Sequence, residues 1–253
     1  MTNFSSAYAE YYDALYREKD YAAEAAWIGR TLGGAARIGT ILDLGCGTGH
    51  HAAELSRLGC RVHGMDLSPD MIRLAEKRNA GNPLLSFETG DAASFRSAVR
   101  YGAVTALFHV VSYLTDNDRL FSCFRQVHET LQPGGSFLFD FWYGPAVLFQ
   151  KPENRIRKIE TDNFVIRRFA APECDPARNV VTVNYEMICT DKKDRTTFTF
   201  SERHPMRYFF LPELDFMLKK AGFESVRFME FLSGLPPSEQ TWGVCAVAEK
   251  AAG

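Results

Sequence analysis

A glycine-rich run, Asp43-Leu44-Gly45-Cys46-Gly47-Thr48-Gly49, joins an apolar segment to an amphipathic one. Glycines at such a junction let the backbone turn sharply and approach a ligand at the N-terminus of the next helix. A dinucleotide site requires the pattern G-x-G-x-x-G, but the sixth position counted from Gly45 is His50. The run therefore predicts a ligand-binding loop of another kind.

Two carboxylates follow at corresponding places along the chain. Asp66 ends the next strand-like segment, where a carboxylate can accept hydrogen bonds from both hydroxyls of a ribose. Asp91 follows Gly90 at the end of a third such segment, where it can accept from the exocyclic amine of adenine. Together with the glycine run, they predict an adenosine held without a pyrophosphate.

Polar and aromatic residues after the later strand-like segments are candidates for chemistry on a second substrate. We predict His109 and Tyr113, which follow the fourth segment, as catalytic residues. The candidates for binding the acceptor are Trp142, Tyr143, His204 and Arg207. A packing role for His109, or a structural tie between an insertion and the core for His204 and Arg207, is an alternative interpretation of the same residues.

A metal site is not predicted. His50 and His51 are adjacent, so on a helix their side chains point about 100° apart. No cysteine or carboxylate joins them at ligand spacing. The six cysteines form no C-x-x-C pair, which favours reduced thiols and a cytoplasmic protein.

Apolar strand-like segments alternate with helical segments of ten or more residues along most of the chain. Such spacing requires crossover connections, which give a parallel sheet covered by helices on both faces. Five such strands precede residue 144, and two more close the chain. We therefore predict a doubly wound α/β fold with a mostly parallel seven-stranded sheet.

Two regions depart from this alternation. The opening, YAEYYDALYREKDYAAEAAWIGRTL, predicts two helical pieces with a break near residues 17–20. Between about residues 155 and 208, three β-rich stretches alternate apolar and polar residues, with turn signals at 172–176 and 191–194. This second region predicts an antiparallel β insertion.

Composition narrows the classes of partner. The 253 residues are 46% hydrophobic and 24% charged, as expected for a globular domain, and the net charge is -2. Without a basic surplus, a nucleic-acid substrate is not expected. The longest apolar run is far shorter than the ~20 residues of a membrane span, and the N-terminus shows no targeting signal. The expected partner is a small molecule, with neither nucleic acid nor membrane.

The sequence combines D-x-G-x-G-x-G from Asp43, the acidic end of the second strand, Gly90-Asp91, and Pro133-Gly134-Gly135 before the fifth strand. This combination resembles the class I S-adenosylmethionine-dependent methyltransferases. The resemblance covers most of the chain outside the insertion and implies a Rossmann-like fold that binds S-adenosylmethionine. It implies that Gly45 and Gly47 approach the methionine part while Asp43 supports the loop. The remaining implied cofactor contacts are Asp66, Leu67, Met71, Asp91, Ala92 and Phe108.

The opening helices, the segment HPMRYF and the insertion resemble the small-molecule branch that includes the N,N-dimethyltransferases of nucleotide-linked amino sugars. This resemblance implies a helical lid over residues 1–34, with Tyr12 and Tyr21 at the methionine end. Residues 35–150 and 209–253 would form the cofactor domain, and residues 151–208 a substrate or dimer subdomain. The chain departs from that branch in having Tyr113 in place of a histidine and Phe4 in place of a tyrosine.

The sequence thus predicts methyl transfer to a small polar acceptor, with the amine of a nucleotide-linked amino sugar as the leading candidate. An O-methyltransferase of a small metabolite and a non-catalytic cofactor-binding protein are alternatives on the same fold. A nicotinamide-dependent oxidoreductase is disfavoured by the missing third glycine. A homodimer is compatible with the insertion.

Overall fold

A mostly parallel β-sheet carries the fold, which we describe from a computed structural model covering residues 6–253; Phe4 lies outside the described residues. Strands β3, β2, β1, β4 and β5 pair in that order and are all parallel. Strand β11 pairs antiparallel with β5, and β10 pairs antiparallel with β11. These strands are β1 (Thr40–Leu44), β2 (Arg61–Asp66), β3 (Leu85–Thr89), β4 (Tyr101–Ala106), β5 (Leu131–Tyr143), β10 (Ser225–Glu230) and β11 (Gly243–Glu249). The predicted α/β class is confirmed.

Helix α3 precedes β1, and helices α4 to α8 lie between strands further along the chain. Their bounds are α3 (Ala35–Ile38), α4 (His50–Arg57), α5 (Pro69–Arg78), α6 (Asn117–Thr130), α7 (Gly144–Gln150) and α8 (Leu211–Lys220). The start of α5 is fixed by two residues, because the hydroxyl of Ser68 accepts from the backbone N–H of Met71 and Pro69 occupies the first turn. The short helix α7 follows β5 directly and was not predicted from the sequence.

Both faces of the parallel sheet are buried, as such a sheet requires. Successive residues of β1 show this, because Ile41 packs on one side while Leu42 and Leu44 pack on the other. Because the five strands are parallel, their carboxyl ends meet at one edge of the sheet, and the loops that follow them can bind a ligand there.

None of the helices within residues 6–253 is long and apolar enough to cross a membrane.

The insertion contains four antiparallel strands, β6 (Arg155–Glu160), β7 (Phe164–Asp175), β8 (Val180–Asp191) and β9 (Thr197–Phe209). The prediction of three stretches missed the hairpin between β6 and β7. Its turn contains neither glycine nor proline and is closed by the Thr161 hydroxyl, which accepts from the N–H of Phe164 at 2.9 Å. Strand β9 joins the main sheet beside β5 through two parallel pairs, Trp142 with Tyr208 and Tyr143 with Phe209.

Two helices, α1 (Ser6–Leu15) and α2 (Tyr21–Thr31), occupy the opening segment and leave the predicted break between them. Asp20 begins α2 by accepting from the N–H of Ala23 at 2.9 Å. One face of α1, including Tyr11 and Leu15, packs on Ile166 and Met187 of the insertion. The opening helix therefore lies between the insertion and the ligand-binding edge of the sheet.

Candidate active site

A cavity of about 510 Å³ lies at the carboxyl edge of the parallel sheet. Its walls come from the loops after β1 to β5, from helix α1 and from the inner faces of β8 and β9. At one end lie the glycine loop, Asp66 and Asp91; elsewhere the walls are mostly aromatic. The cavity therefore combines sites on the main sheet with a wall built by the insertion.

The glycine loop lines the cavity through Gly45 and Gly47, whose φ angles are +66° and +54°. These are left-handed conformations that favour glycine. At Gly45 the space is also closed, because an added Cβ would lie 2.4 Å from the side chain of Val110. The loop can therefore bring bare backbone close to a ligand, as its sequence predicts.

The carboxylate of Asp66 is fixed in direction by two backbone groups. Its Oδ2 accepts from the N–H of Gly47 and its Oδ1 from the N–H of Ser68, both at 2.9 Å. Burial raises the pKa of Asp66 even though these N–H groups act in the opposite direction. Each oxygen retains a lone pair, so the carboxylate can accept two further hydrogen bonds, as a pair of ribose hydroxyls requires.

The second carboxylate, Asp91, also lines the cavity, but it has a partner that the sequence did not reveal. Arg119, in the first turns of α6, donates to both of its oxygens at 2.9 and 3.1 Å. The N–H of Ala93 donates to Oδ1 at 2.9 Å. Arg119 lies 28 positions further along the chain than Asp91 and carries no motif, so only the fold brings it here.

Apolar residues complete this half of the cavity. Leu67, Met71, Ala92 and Phe108 all line it, as predicted. Apolar walls suit a planar base, and the two carboxylates suit its amine and the ribose hydroxyls. The residues present therefore fit an adenosyl group.

Asp140 holds His109 beside the cavity. The imidazole Nδ1 of His109 lies 2.7 Å from Oδ2 of Asp140, and its backbone N–H donates to Oδ1 at 3.0 Å. Asp140 is 3% exposed, and burial alone would raise its pKa. The imidazole and backbone N–H of His109, together with the charge of Lys19, outweigh that effect and hold the pKa of Asp140 below its ordinary value. The pair is thus a buried carboxylate with an imidazole whose other nitrogen, Nε2, can take a proton.

The backbone at this position is strained. Phe108 and His109 both have φ near +65°, an unusual conformation for residues other than glycine. Each such residue costs of order 1–3 kcal/mol and persists only where neighbours fix it. The two contacts with Asp140 supply that constraint at His109. Strained backbone conformations of this kind are common at functional sites.

On the insertion side, Tyr113 and His204 form a second pair that lines the cavity. The hydroxyl of Tyr113 lies 2.8 Å from Nδ1 of His204. Burial, aided by the charge of Arg168, lowers the pKa of His204 to about 4, so this imidazole is neutral at physiological pH. On the other side of the ring, Nε2 of His204 lies 4.0 Å from Oε2 of the buried Glu202.

Aromatic residues form the remaining wall, and most of them were not predicted from the sequence. Trp242, which was not predicted, makes an edge-on contact with the predicted Trp142 at 5.4 Å between ring centroids. Tyr16 and Tyr185 also line the cavity, and Arg168 contacts both from behind. Among the described lining residues, the carboxylate and guanidinium side chains are those of Asp66, Asp91 and Arg119. The lining on the insertion side is therefore aromatic and apolar apart from His204.

Four of the predicted site residues lie outside the cavity lining. Tyr21 stacks on His50 at 4.5 Å, and Asp43 is buried with its Oδ1 accepting from Thr105 at 2.7 Å. Tyr143 and Arg207 follow residues of β5 and β9 that do line the cavity, so strand alternation directs their side chains to the opposite face. Tyr143 packs in the core, and Arg207 donates to Asn117 at 2.6 Å. Tyr12, predicted with Tyr21, does line the cavity.

Two carboxylates attach the opening helices to α4. Asp13 accepts from the Thr48 hydroxyl at 2.7 Å, lies 3.1 Å from Nε2 of His50, and pairs with Arg78. Glu24 lies 2.7 Å from Nε2 of His51 and pairs with Lys19. The adjacent histidines are therefore explained by contacts with the opening helices.

Comparison with known proteins places these features in context. Residues 41–135 match the family model described as a methyltransferase domain. The chain is 26% identical over 245 residues to the putative methyltransferase YqeM of Bacillus subtilis, spanning 96% of both proteins. It is 33% identical over 141 residues to the dTDP-3-amino-3,4,6-trideoxy-alpha-D-glucopyranose N,N-dimethyltransferase of Streptomyces venezuelae, spanning 54% of this chain and 58% of that relative. The crystal structure of Streptomyces venezuelae DesVI matches with a TM-score of 0.79 at 26% identity, covering 96% of this chain and 98% of that one.

Proposed function

We propose that the chain is a class I S-adenosylmethionine-dependent methyltransferase and that it methylates the amine of a small polar acceptor. The leading candidate is the amine of a nucleotide-linked amino sugar. The observation that carries the proposal is the Asp140–His109 pair beside the cavity, because it provides a proton acceptor suited to an amine. The name of the Streptomyces venezuelae relative, an amino-sugar N,N-dimethyltransferase, supports the sugar.

When bound, S-adenosylmethionine supplies an electrophilic methyl group on its sulfonium sulfur. In this chain Asp66 and Asp91 would hold its adenosyl part, and Gly45 and Gly47 would allow close approach of its methionine part. Tyr12 of α1 and Tyr16, which follows that helix, line the cavity and would exclude water and align the acceptor. Alignment of two reactants can contribute roughly 7–11 kcal/mol to a rate enhancement.

The chain must also manage one proton. An amine attacks through its lone pair, so an ammonium acceptor has to lose one proton first. The methylated product is again an ammonium, so one proton is released for each methyl transferred. Nε2 of His109 can accept this proton, while the carboxylate of Asp140 stabilises the resulting imidazolium. An alcohol is a far weaker acid than an ammonium, so this single base favours nitrogen over an alkyl oxygen.

A labelled-methyl assay tests the proposal. Purified protein is given methyl-labelled S-adenosylmethionine and a panel of nucleotide-linked amino sugars, each matched by the sugar with a hydroxyl in place of the amine. We expect label only in amines, and His109→Ala to lower turnover by about 10²-fold or more at unchanged affinity for S-adenosylhomocysteine.

Other outcomes would overturn the proposal. Label confined to the hydroxyl analogues would identify an O-methyltransferase. Tight binding of S-adenosylhomocysteine, without label in any acceptor, would favour a non-catalytic cofactor-binding protein. Full turnover by His109→Ala would reassign that residue to packing.

A further inference from the structure

The inner face of the insertion sheet has two parts. Near the tips of its strands, Ile166, Met187 and Cys189 are buried against helix α1. Nearer the main sheet, Val183 and His204 are directly paired across β8 and β9, so their side chains share one face, and both line the cavity. The insertion therefore places one imidazole in an otherwise aromatic and apolar wall.

His204 is suited to accept a hydrogen bond and poorly suited to act as a base. It is 2% exposed, and burial together with the nearby Arg168 lowers its pKa to about 4. Burial also raises the pKa of Tyr113 well above its ordinary value, so that hydroxyl keeps its proton. With a neutral imidazole and a protonated phenol 2.8 Å apart, the phenol can donate to Nδ1.

We propose that His204 is a positioning residue that fixes the hydroxyl of Tyr113 as a hydrogen-bond acceptor for the N–H of the substrate amine. This inference deepens the proposed function and rests on it. Once its proton points at Nδ1 of His204, the Tyr113 oxygen presents only lone pairs to other groups. The molecule that receives the methyl group must then donate a hydrogen bond to this oxygen. Primary and secondary amines carry a hydrogen that can do so, and a neutral tertiary amine does not.

The two histidines then have separate roles. His109 has the carboxylate of Asp140 2.7 Å from its Nδ1, where it can stabilise an imidazolium formed by proton transfer. His204 has a pKa lowered by burial and by Arg168, and the carboxylate of Glu202 lies 4.0 Å from its Nε2, leaving Nδ1 to accept from Tyr113. Tyr113, held by His204, can orient the lone pair of the substrate nitrogen from the insertion side. The proton of that nitrogen can meanwhile move to His109. The insertion would thereby select acceptors by their hydrogen-bonding groups.

Three variants separate positioning from packing. His204→Asn keeps an oxygen that can accept from Tyr113, and His204→Leu fills space without an acceptor. Tyr113→Phe removes the hydroxyl itself. With the amine that gives most turnover in the labelled assay, we expect KM for the acceptor to rise about 5–20-fold in His204→Leu and Tyr113→Phe. His204→Asn should stay within about threefold of the wild type, and the double variant Tyr113→Phe/His204→Leu should be no worse than either single variant.

Two readouts keep these outcomes distinct. Calorimetry with S-adenosylhomocysteine should give unchanged affinity in all variants, and the acid limb of the pH–rate profile should not move. Equal KM values for His204→Asn and His204→Leu would reduce the histidine to packing, and a shifted acid limb would make it a base.

An acceptor-independent measurement separates this inference from the proposed function. In nitrogen-15 NMR of the wild type, Nδ1 of His204 should have the chemical shift of an unprotonated, hydrogen-bonded nitrogen, and that shift should change in Tyr113→Phe. A protonated Nδ1 would overturn the inference even if amines are methylated. If the NMR result holds and label enters only hydroxyl acceptors, the proposed function fails, and with it the selection of an amine N–H.

Discussion

Asp140 contacts His109 twice, accepting its backbone N–H through Oδ1 and lying 2.7 Å from its imidazole through Oδ2. One buried carboxylate thus fixes a left-handed backbone and aims a side chain. We expect Asp140→Asn to lower turnover by about 10–10²-fold, because the imidazolium of His109 loses its counter-charge. Steady-state kinetics with the labelled acceptor provide the measurement.

The control for this change is Asp215→Asn on α8, where an exposed carboxylate pairs with Lys219. It should leave turnover unchanged. In the double variant Asp140→Asn/His109→Ala, the loss should equal that of His109→Ala alone, because the carboxylate acts through the imidazole. Additive losses would show that Asp140 acts independently of His109.

Asp66 should dominate cofactor affinity. In Asp66→Ala the two hydrogen bonds that we propose to the ribose would disappear, and the N–H groups of Gly47 and Ser68 would lose their partner. At about 1.5–3 kcal/mol for each bond to the ribose, calorimetry should show binding of S-adenosylhomocysteine weakened by about 10²-fold or more. Asp70→Ala, which removes a carboxylate from the first turn of the following helix, should bind normally. Equal affinity in both variants would remove Asp66 from the site.

Asp43 should make folding less favourable as the pH rises. Burial raises its pKa from 3.8 to about 6, against the opposing effects of His51 and the Thr105 hydroxyl. The folded chain therefore holds this proton more tightly than the unfolded chain does, and stability is lost as the pH rises between those two values. The shift corresponds to roughly 3 kcal/mol.

Asp43→Asn removes this titration while keeping an oxygen that can accept from Thr105. Relative to the wild type, the variant should gain stability between pH 4.5 and pH 7.5 in urea unfolding experiments. Asp215→Asn is again the matched control and should show no such trend. A constant difference between Asp43→Asn and wild type across this range would mean that Asp43 has an ordinary pKa.

Glu24 should behave in the opposite way. Burial acts to raise its pKa, but His51 and Lys19 outweigh burial and hold the pKa below its ordinary value. Its contribution is therefore complete at neutral pH and is lost as the pH falls through the folded pKa. We expect Glu24→Gln to destabilise the protein by about 1–3 kcal/mol at pH 7 and by less near pH 3. Glu129→Gln, an exposed change on α6, should have little effect at either pH.

The cofactor half of the cavity could be predicted because its geometry follows from a general rule. Asp66 and Asp91 end neighbouring parallel strands, whose carboxyl ends share one edge of the sheet, so sequence position alone brought them together. Arg119 could not be found in this way, since its contact with Asp91 depends on how α6 packs.

The insertion side could be predicted only in part because it depends on strand register. In antiparallel strands a shift of one residue exchanges the two faces, and the sequence does not fix that shift. His204 was predicted for the cavity and lines it, while Arg207, three residues further along β9, lies on the opposite face whatever the register. Tyr185 and Trp242 were missed because no motif marks a strand residue or loop residue that faces a pocket built from distant segments.

The junction of β5 with β9 has a consequence for how substrate range changes. Within residues 6–253, the strand pairing between the insertion and the main sheet consists of two residue pairs, Trp142 with Tyr208 and Tyr143 with Phe209. Sequence drift in β6 to β8 can therefore remodel the acceptor wall without disturbing the strands that hold Asp66 and Asp140. An insertion joined in this way can be replaced during evolution while the residues of the main sheet that serve methyl transfer are kept.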